Sequence, residues 1–246
     1  MGQTMRTAKL SPSDFAFLYE DCKRCFYLKV AREIIQPSKP MASIFTKIDN
    51  QEKITFADKY LSEFSPDFPN GKIIESDKWV TSKYITYEEN NYRQYIRGII
   101  DSLIKMKDGT YQIIDFKTSA IDKHIQLYTK QLHAYAYALE NPMYDRDKLD
   151  APISGLGLII FNPNKGFHID DNCDGLLRGE FNWIQMKYTP DKFIKFMDKL
   201  ASLLSQDEIP EFTEGCQYCE RDKLMMDWNN VPIIDTVEKE KEEEEF

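Results

Sequence analysis

The sequence predicts an α/β domain with a mixed central sheet flanked by helices, and three stretches predict it. Arg97 to Lys117 reads RGIIDSLIKMKDGTYQIIDFK, two Ile-rich runs around Lys107-Asp108-Gly109, which is strand, turn, strand. Ile153 to Phe161, ISGLGLIIF, is a continuous apolar run of the kind buried on both faces of a sheet. Tyr128, Leu132, Tyr135 and Leu139 recur at spacings of 4, 3 and 4, the stripe of a helix with one buried face.

Taken in order, residues 9–35 open with Ser11 or Ser13 as a cap and Pro12 in the first turn. Phe15, Leu18, Cys22, Cys25 and Phe26 then follow at helical spacing, and Pro37 and Pro40 end the segment. A second helix is expected from about Lys53 to Phe64, closed by Ser65-Pro66 and the Pro69-Asn70-Gly71 turn. Residues 78–88 alternate as a strand. Tyr92 to Met106 and Tyr111 to Lys117 complete an antiparallel meander. The best helix runs from about Asp122 to Glu140 and stops at Asn141-Pro142. After the apolar strand come a loop at 162–166, a strand from Phe181 to Lys187, and a helix from Pro190 to about Leu204. Phe193, Phe196 or Met197, and Leu200 face inward on that last helix.

Composition bounds the class. The chain has 246 residues, enough for one well-buried domain, with 42% hydrophobic and 13% aromatic content, which excludes general disorder. No apolar run approaches the ~20 residues of a membrane span, and the start, MGQTMRTAKLS, has no signal-peptide core, so a cytoplasmic protein is expected. The net charge of −9 sits awkwardly with a nucleic-acid partner, but the run from Glu238 to Glu245 supplies −4 of it. We expect residues 1–8 to be a flexible lead, 9–225 a single domain, and 226–246 an acidic, self-repelling, disordered tail.

The chemistry gathers on the strand–turn–strand. Strand side chains have period 2, so Asp115 and Lys117 share a face and Phe116 points to the other. Asp101 joins that face in one register only. A two-residue Asp108-Gly109 turn would pair Asp101 with Phe116. A three-residue loop, Lys107 to Gly109, with Gly109 left-handed, pairs Asp101 with Asp115, and this is the register expected. Two carboxylates and a lysine on one face suit a hard cation such as Mg²⁺ or Mn²⁺ with a phosphate beside it. The bland alternative is a solvated strand face. Against it, both acids close strands that otherwise read as buried.

The pattern GIID ending at Asp101, then Asp115-Phe116-Lys117-Thr118-Ser119 fourteen positions on, then Gln131-x3-Tyr135 on a helix, resembles the PD-(D/E)XK nuclease superfamily. Within it the chain is most similar to the RecB-type branch, with its CRISPR adaptation nucleases and AddB-like domains, over roughly residues 9–225. The resemblance implies a restriction-endonuclease-like core and a metal-dependent nuclease acting on DNA, single-stranded or at free ends. Asp101, Asp115 and the Phe116 carbonyl would hold Mg²⁺ or Mn²⁺, Lys117 would assist the attacking water, and Gln131 and Tyr135 would support the site. It also implies a further ligand from a preceding helix, for which Asp49, Glu52 and Asp58 are candidates. A partner protein in a DNA-processing complex fits the resemblance too. The rival readings are a catalytically inactive nuclease-like fold that binds nucleic acid or protein, and an enzyme acting on a small phosphorylated substrate. Tyr84, Tyr87, Tyr92 and Tyr95 could stack bases, though sheet packing explains them equally well.

Five cysteines are present, four of them in C-x2-C pairs: Cys22 with Cys25, and Cys216 with Cys219. Without a secretory signal, such pairs point to a metal more than to disulfides, and four soft thiolates suit tetrahedral Zn²⁺ or an iron–sulfur cluster. The resemblance tilts this towards [4Fe-4S], although its nucleases place one cysteine before the core and three after it, where this chain has two and two. Cys173 has no partner spacing and reads as a plain thiol, and none of His124, His133 and His168 has the spacing of a metal pair.

Overall fold

The computed structural model describes residues 5–37, 40–119 and 125–229, with the side chains of 226–229 excepted. Strand β1 (Arg6–Leu10) leads into a π-helical turn, Asp14–Leu18, then α1 (Tyr19–Asp21) and α2 (Lys23–Ala31). Helix α3 (Ser43–Phe56) precedes β2 (Gly71–Thr81), β3 (Ile85–Tyr87), β4 (Tyr92–Met106) and β5 (Tyr111–Thr118). Then come α4 (Ile125–Glu140), β6 (Ile153–Asn162), the short pair β7 (Phe167–Ile169) and β8 (Gly175–Leu177), β9 (Glu180–Met186), α5 (Pro190–Ser205) and α6 (Gln217–Asn229).

The main sheet runs β1-β4-β5-β6-β9, with β2 and β3 also paired to β4. β1 and β4, and β5 and β6, are parallel; the other pairs of this sheet are antiparallel. This is the mixed sheet expected. β6 lies between β5 and β9, with Leu156, Leu158, Ile159 and Ile160 buried, as its unbroken apolar run requires.

Two apolar layers cover the sheet. On one face Leu132, Tyr135 and Leu139 of α4 pack with Ile113 of β5, Leu158 of β6 and Met197 of α5. On the other, Phe56 of α3 packs with Ile104, Ile114, Phe116 and Ile159. The strand period is visible here: Ile114 and Phe116 face α3, and Ile113 faces α4. His133, buried on α4, ties the helices together; its Nδ1 lies 2.7 Å from the Thr129 carbonyl, and its Nε2 accepts from the Thr189 backbone N–H at the start of α5. It is a core polar group.

Several expectations are corrected. Residues 6–8, expected in a flexible lead, belong to β1. The N-terminal helix does not run on through Cys22, which is extended at φ −159° and caps α2, its Sγ accepting from the Cys25 backbone N–H. The second helix starts earlier than expected, at Ser43, and ends at Phe56, because Ala57 turns extended and bridges to Ile73. The strand at 78–88 is two strands and begins at Gly71. Residues 226–229 lie in α6, and the rest of the acidic tail, like residues 1–4 and His124, lies outside the described residues.

Gly157 shows how closely the central strand is packed. A Cβ at this position would run into the ring of Trp183 on β9. Gly157→Ala is expected to push that indole aside and lower stability by roughly 1–3 kcal/mol, the usual range for overpacking, which thermal melting measures.

Candidate active site and cysteine centre

The β4–β5 connection is the three-residue loop. Met106 and Thr110 close it, Gly109 has φ +89°, and Asp108 stiffens it by accepting from the Thr110 N–H and hydroxyl. Ser102 therefore pairs with Ile114, which sets Asp101 level with Asp115. Lys117 Nζ lies 2.5 Å from Asp115 Oδ2 and 3.9 Å from Asp101 Oδ2, and Asp101 Oδ2 accepts from the Phe116 N–H at 3.2 Å. The structure thus brings Asp101, Asp115, Phe116 and Lys117 together.

Of the three acids left open on the preceding helix, the structure singles out Glu52. It is 5% exposed and lines one cleft of about 420 Å³ with Asp101, Phe116 and Lys117. Among the described residues, its buried Oε1 has no hydrogen-bond partner. Asp49 lines the cleft too, but is tied to Lys53 at 2.8 Å, and Lys53 also reaches Asp77 at 2.6 Å. Asp58 is exposed beyond the helix end. No sequence signal separates these acids; burial does.

The electrostatics are those of carboxylates crowded in a half-dry place. Burial, and then the charge of Asp115, pushes Asp101 up to about 7. Burial, and then Asp49 and Asp101, pushes Glu52 up to about 7. Burial alone would lower Lys117, but Asp115 and Asp101 outweigh it and hold the ammonium above the usual lysine value. The Tyr128 ring lies 5.1 Å from that ammonium. A folded-state carboxyl raised from its ordinary value contributes stability that is full below that value and lost as pH rises through about 7. In EDTA, Glu52→Gln is therefore expected to melt higher than the wild type at pH 8 and to lose that advantage by pH 5. Equal melting points at both pH values would contradict the burial argument.

Gln131 and Tyr135, one turn apart on α4, are both buried, and Gln131 Nε2 donates to the Tyr135 hydroxyl at 3.2 Å. They line a neighbouring cleft with Arg97, Gly98 and Trp79, and a Cβ on Gly98 would meet Tyr135 at 3.1 Å. Gly98 is the small residue that lets the tyrosine ring lie against β4.

The two cysteine pairs meet. Cys22 caps α2 and Cys25 sits in its first turn; Cys216 precedes α6 and Cys219 sits in its first turn. Cys22 Sγ is 3.5 Å from Cys219 Sγ, Cys25 Sγ is 3.7 Å from Cys216 Sγ, and the four sulfurs all lie within 4.8 Å of one another. Burial raises Cys25 and, to about 11, Cys219. Burial also works to raise Cys22, but its hydrogen bonds to Thr213 and to the Cys25 backbone outweigh that and bring it down to about 7. A cluster of four thiols at two helix N-termini, three of them buried and one already acidified, is a place a metal ion could bind. Cys173 is exposed, apart from the others.

A mixed sheet flanked by helices, with an antiparallel hairpin carrying two aspartates and a lysine at the helix α4 end, is the restriction-endonuclease-like α/β fold. A family model of the PD-(D/E)XK nuclease superfamily matches residues 71–224, more than half of the chain, and the chain belongs to that superfamily. Among solved structures, one titled "Crystal structure of SSO0001" is similar at 14% identity, covering 91% of this chain and 87% of that chain, with a TM-score of 0.43. No curated protein matches. No helix among the described residues is long and apolar enough to cross a membrane.

Proposed function

We propose that the chain is a metal-dependent deoxyribonuclease that hydrolyses DNA phosphodiester bonds at single-stranded regions or free ends, and that within its superfamily it is most similar to the RecB-type branch. The observation that carries this is that Asp101 and Lys117 line one cleft with the orphaned carboxylate of Glu52, while Asp115 is ion-paired to that same Lys117. The donors are all hard oxygens, which fits Mg²⁺ or Mn²⁺.

Asp101, Asp115, Glu52 and the Phe116 carbonyl would hold the ion, which when bound acidifies a water and screens the phosphate. Lys117 would orient the attacking water and offset charge developing on the phosphate. The Tyr135 hydroxyl accepts from Gln131, so its own proton is available to a phosphate oxygen, while Gln131 Oε1 has no partner among the described residues and can accept from substrate.

The second reading is a nuclease-like fold that binds without cutting. What favours it is that Lys117 already neutralises Asp115 without an ion. Labelled single- and double-stranded DNA incubated with Mn²⁺, Mg²⁺ or EDTA decides between them, with Asp115→Ala purified in parallel. Metal-dependent cutting absent from the variant supports the enzyme; no cutting from protein whose cysteine centre is loaded supports the binding module.

For the cysteine centre we propose a single tetrahedral Zn²⁺. Zinc–sulfur bonds of ~2.3 Å place tetrahedral thiolates roughly 3.8 Å apart, close to the 3.5 and 3.7 Å of two of the pairs and compatible with the 4.8 Å within which all four lie. A cubane cluster puts each thiolate on a different iron and holds them further apart, so the geometry weighs against the [4Fe-4S] expectation.

A further inference from the structure

Over the first ten residues of β4, Tyr92, Gln94, Ile96 and Ile100 are buried, and Arg93, Tyr95, Arg97, Ile99 and Asp101 are not. Neighbouring strands extend the open face. Lys9 of β1 pairs with Tyr95, and Trp79 of β2 pairs with Ile99. Trp79 is 57% exposed, and Tyr84 is exposed beside Tyr95, their ring centroids 5.4 Å apart. Each of the two arginines lies over a ring: Arg97 over Trp79 at 5.0 Å, and Arg93 over Tyr84 at 4.2 Å.

Two features set this face apart from ordinary sheet surface. Among the described residues, neither arginine nor Lys9 has a carboxylate within 4.0 Å, in a chain whose net charge is −9. The face also runs without a break into the cleft where buried Gln131 and Tyr135 stand, and Lys9, Trp79 and Arg97 line that cleft with them. Of the four tyrosines that the sequence suggests for stacking, Tyr92 is core and the Tyr87 hydroxyl is bonded to Asp198, so Tyr84 and Tyr95 remain.

We propose that this face, built on Lys9, Trp79, Tyr84, Arg93, Tyr95 and Arg97, is the track on which single-stranded DNA lies as it approaches the carboxylate–lysine site. Exposed aromatic faces stack unpaired bases, which a duplex keeps hidden, and cations without a carboxylate partner take the phosphates, Arg93 keeping its Nε hydrogen bond to Thr7 Oγ1. From Arg93 to Asp101 the strand covers roughly 26 Å at ~3.3 Å per residue, room for several nucleotides. The direction of travel rests on the nuclease reading; the binding does not.

The test measures binding of a labelled oligothymidylate, and of a duplex of the same length, in EDTA so that nothing is cut. Trp79→Ala is expected to weaken single-strand binding by about 5- to 100-fold. Arg93→Gln with Arg97→Gln should make the log–log salt dependence shallower by about 1.4, near 0.7 for each lost phosphate contact. Trp79 emission should be quenched on binding. Melting temperature and metal content confirm that the variants fold. Wild-type binding in Trp79→Ala together with a wild-type salt slope in the arginine variant, or no quenching of wild-type emission, would overturn the track, as would a wild type that binds no single strand. A larger loss for the duplex would overturn the single-stranded occupant. Cleavage is read separately: a wild type that binds through this face yet never cuts keeps the track and removes the nuclease, and the converse result does the reverse.

Discussion

Asp115→Asn is expected to lower metal-dependent DNA hydrolysis by about 10²–10⁴-fold, the range seen when one positioned catalytic group is removed. The substitution keeps the shape of a side chain that is almost fully buried and removes its charge. Both things that charge does are lost: it is a proposed anchor for the cation, and it is the partner of Lys117 at 2.5 Å. The second loss has a structural cost. Breaking a buried pair by removing one member typically costs ~3–5 kcal/mol, and here Asp101 at 3.9 Å remains to take part of the ammonium's charge, so the low end of that range applies. Asp115→Asn should therefore also melt below the wild type. Adding Lys117→Met should return much of the melting temperature and none of the activity. Steady-state cleavage and thermal melting on the two variants separate the roles. Full activity in Asp115→Asn would put the hydrolytic site elsewhere in the molecule.

How much of this was legible in the sequence follows from where the signals are local. The β4–β5 register could be read because a loop of three residues and one glycine decide it, and Gly109 at φ +89° is that glycine. The stripe on α4 and the apolar run of β6 were equally local. β1 was not legible: its five residues carry a weak alternation, and what makes them a strand is pairing with Tyr92 to Ile96, far along the chain. Helix α3 was misplaced for a different reason. Ile44, Phe45 and Ile54 are exposed, while Glu52 and Phe56 are the buried pair, so hydrophobic periodicity pointed away from the helix's true inner face. That inversion is itself a mark of the site. A carboxylate held in the core without a partner opposes folding, and such conflicts between local rule and structure gather where function needs them.

Cys25→Ser is expected to release the C-terminal segment while leaving the sheet folded. The four-thiol centre is a small cluster of its own, in which Cys22, Cys25 and Cys219 pack with Leu18, Phe212 and Tyr218, with Leu18 shared with the main core. Without it, residues 206–229 are held to α2 and the residues after it by side-chain contacts such as Tyr27 to the Gln206 carbonyl, Arg24 to the Pro210 carbonyl and across the Phe212 ring, Tyr218 to the Pro37 carbonyl, and Arg221 to Gln36. Zinc binding to such sites is worth roughly 10–16 kcal/mol in isolated peptides, far above the ~1 kcal/mol of a single net hydrogen bond. The ion should therefore dominate the attachment of α6 and contribute little to β5 or β6, whose side chains pack elsewhere. Limited proteolysis should cut Cys25→Ser, or protein stripped by a chelator, near 206–216 under conditions that leave the loaded protein whole. The main melting transition should fall by much less than the loss of an ion this tightly held would suggest. Metal analysis of the intact protein should find close to one zinc per chain and no sulfide. Iron with sulfide in its place would overturn the zinc assignment and mean that the thiolates spread to hold a cluster.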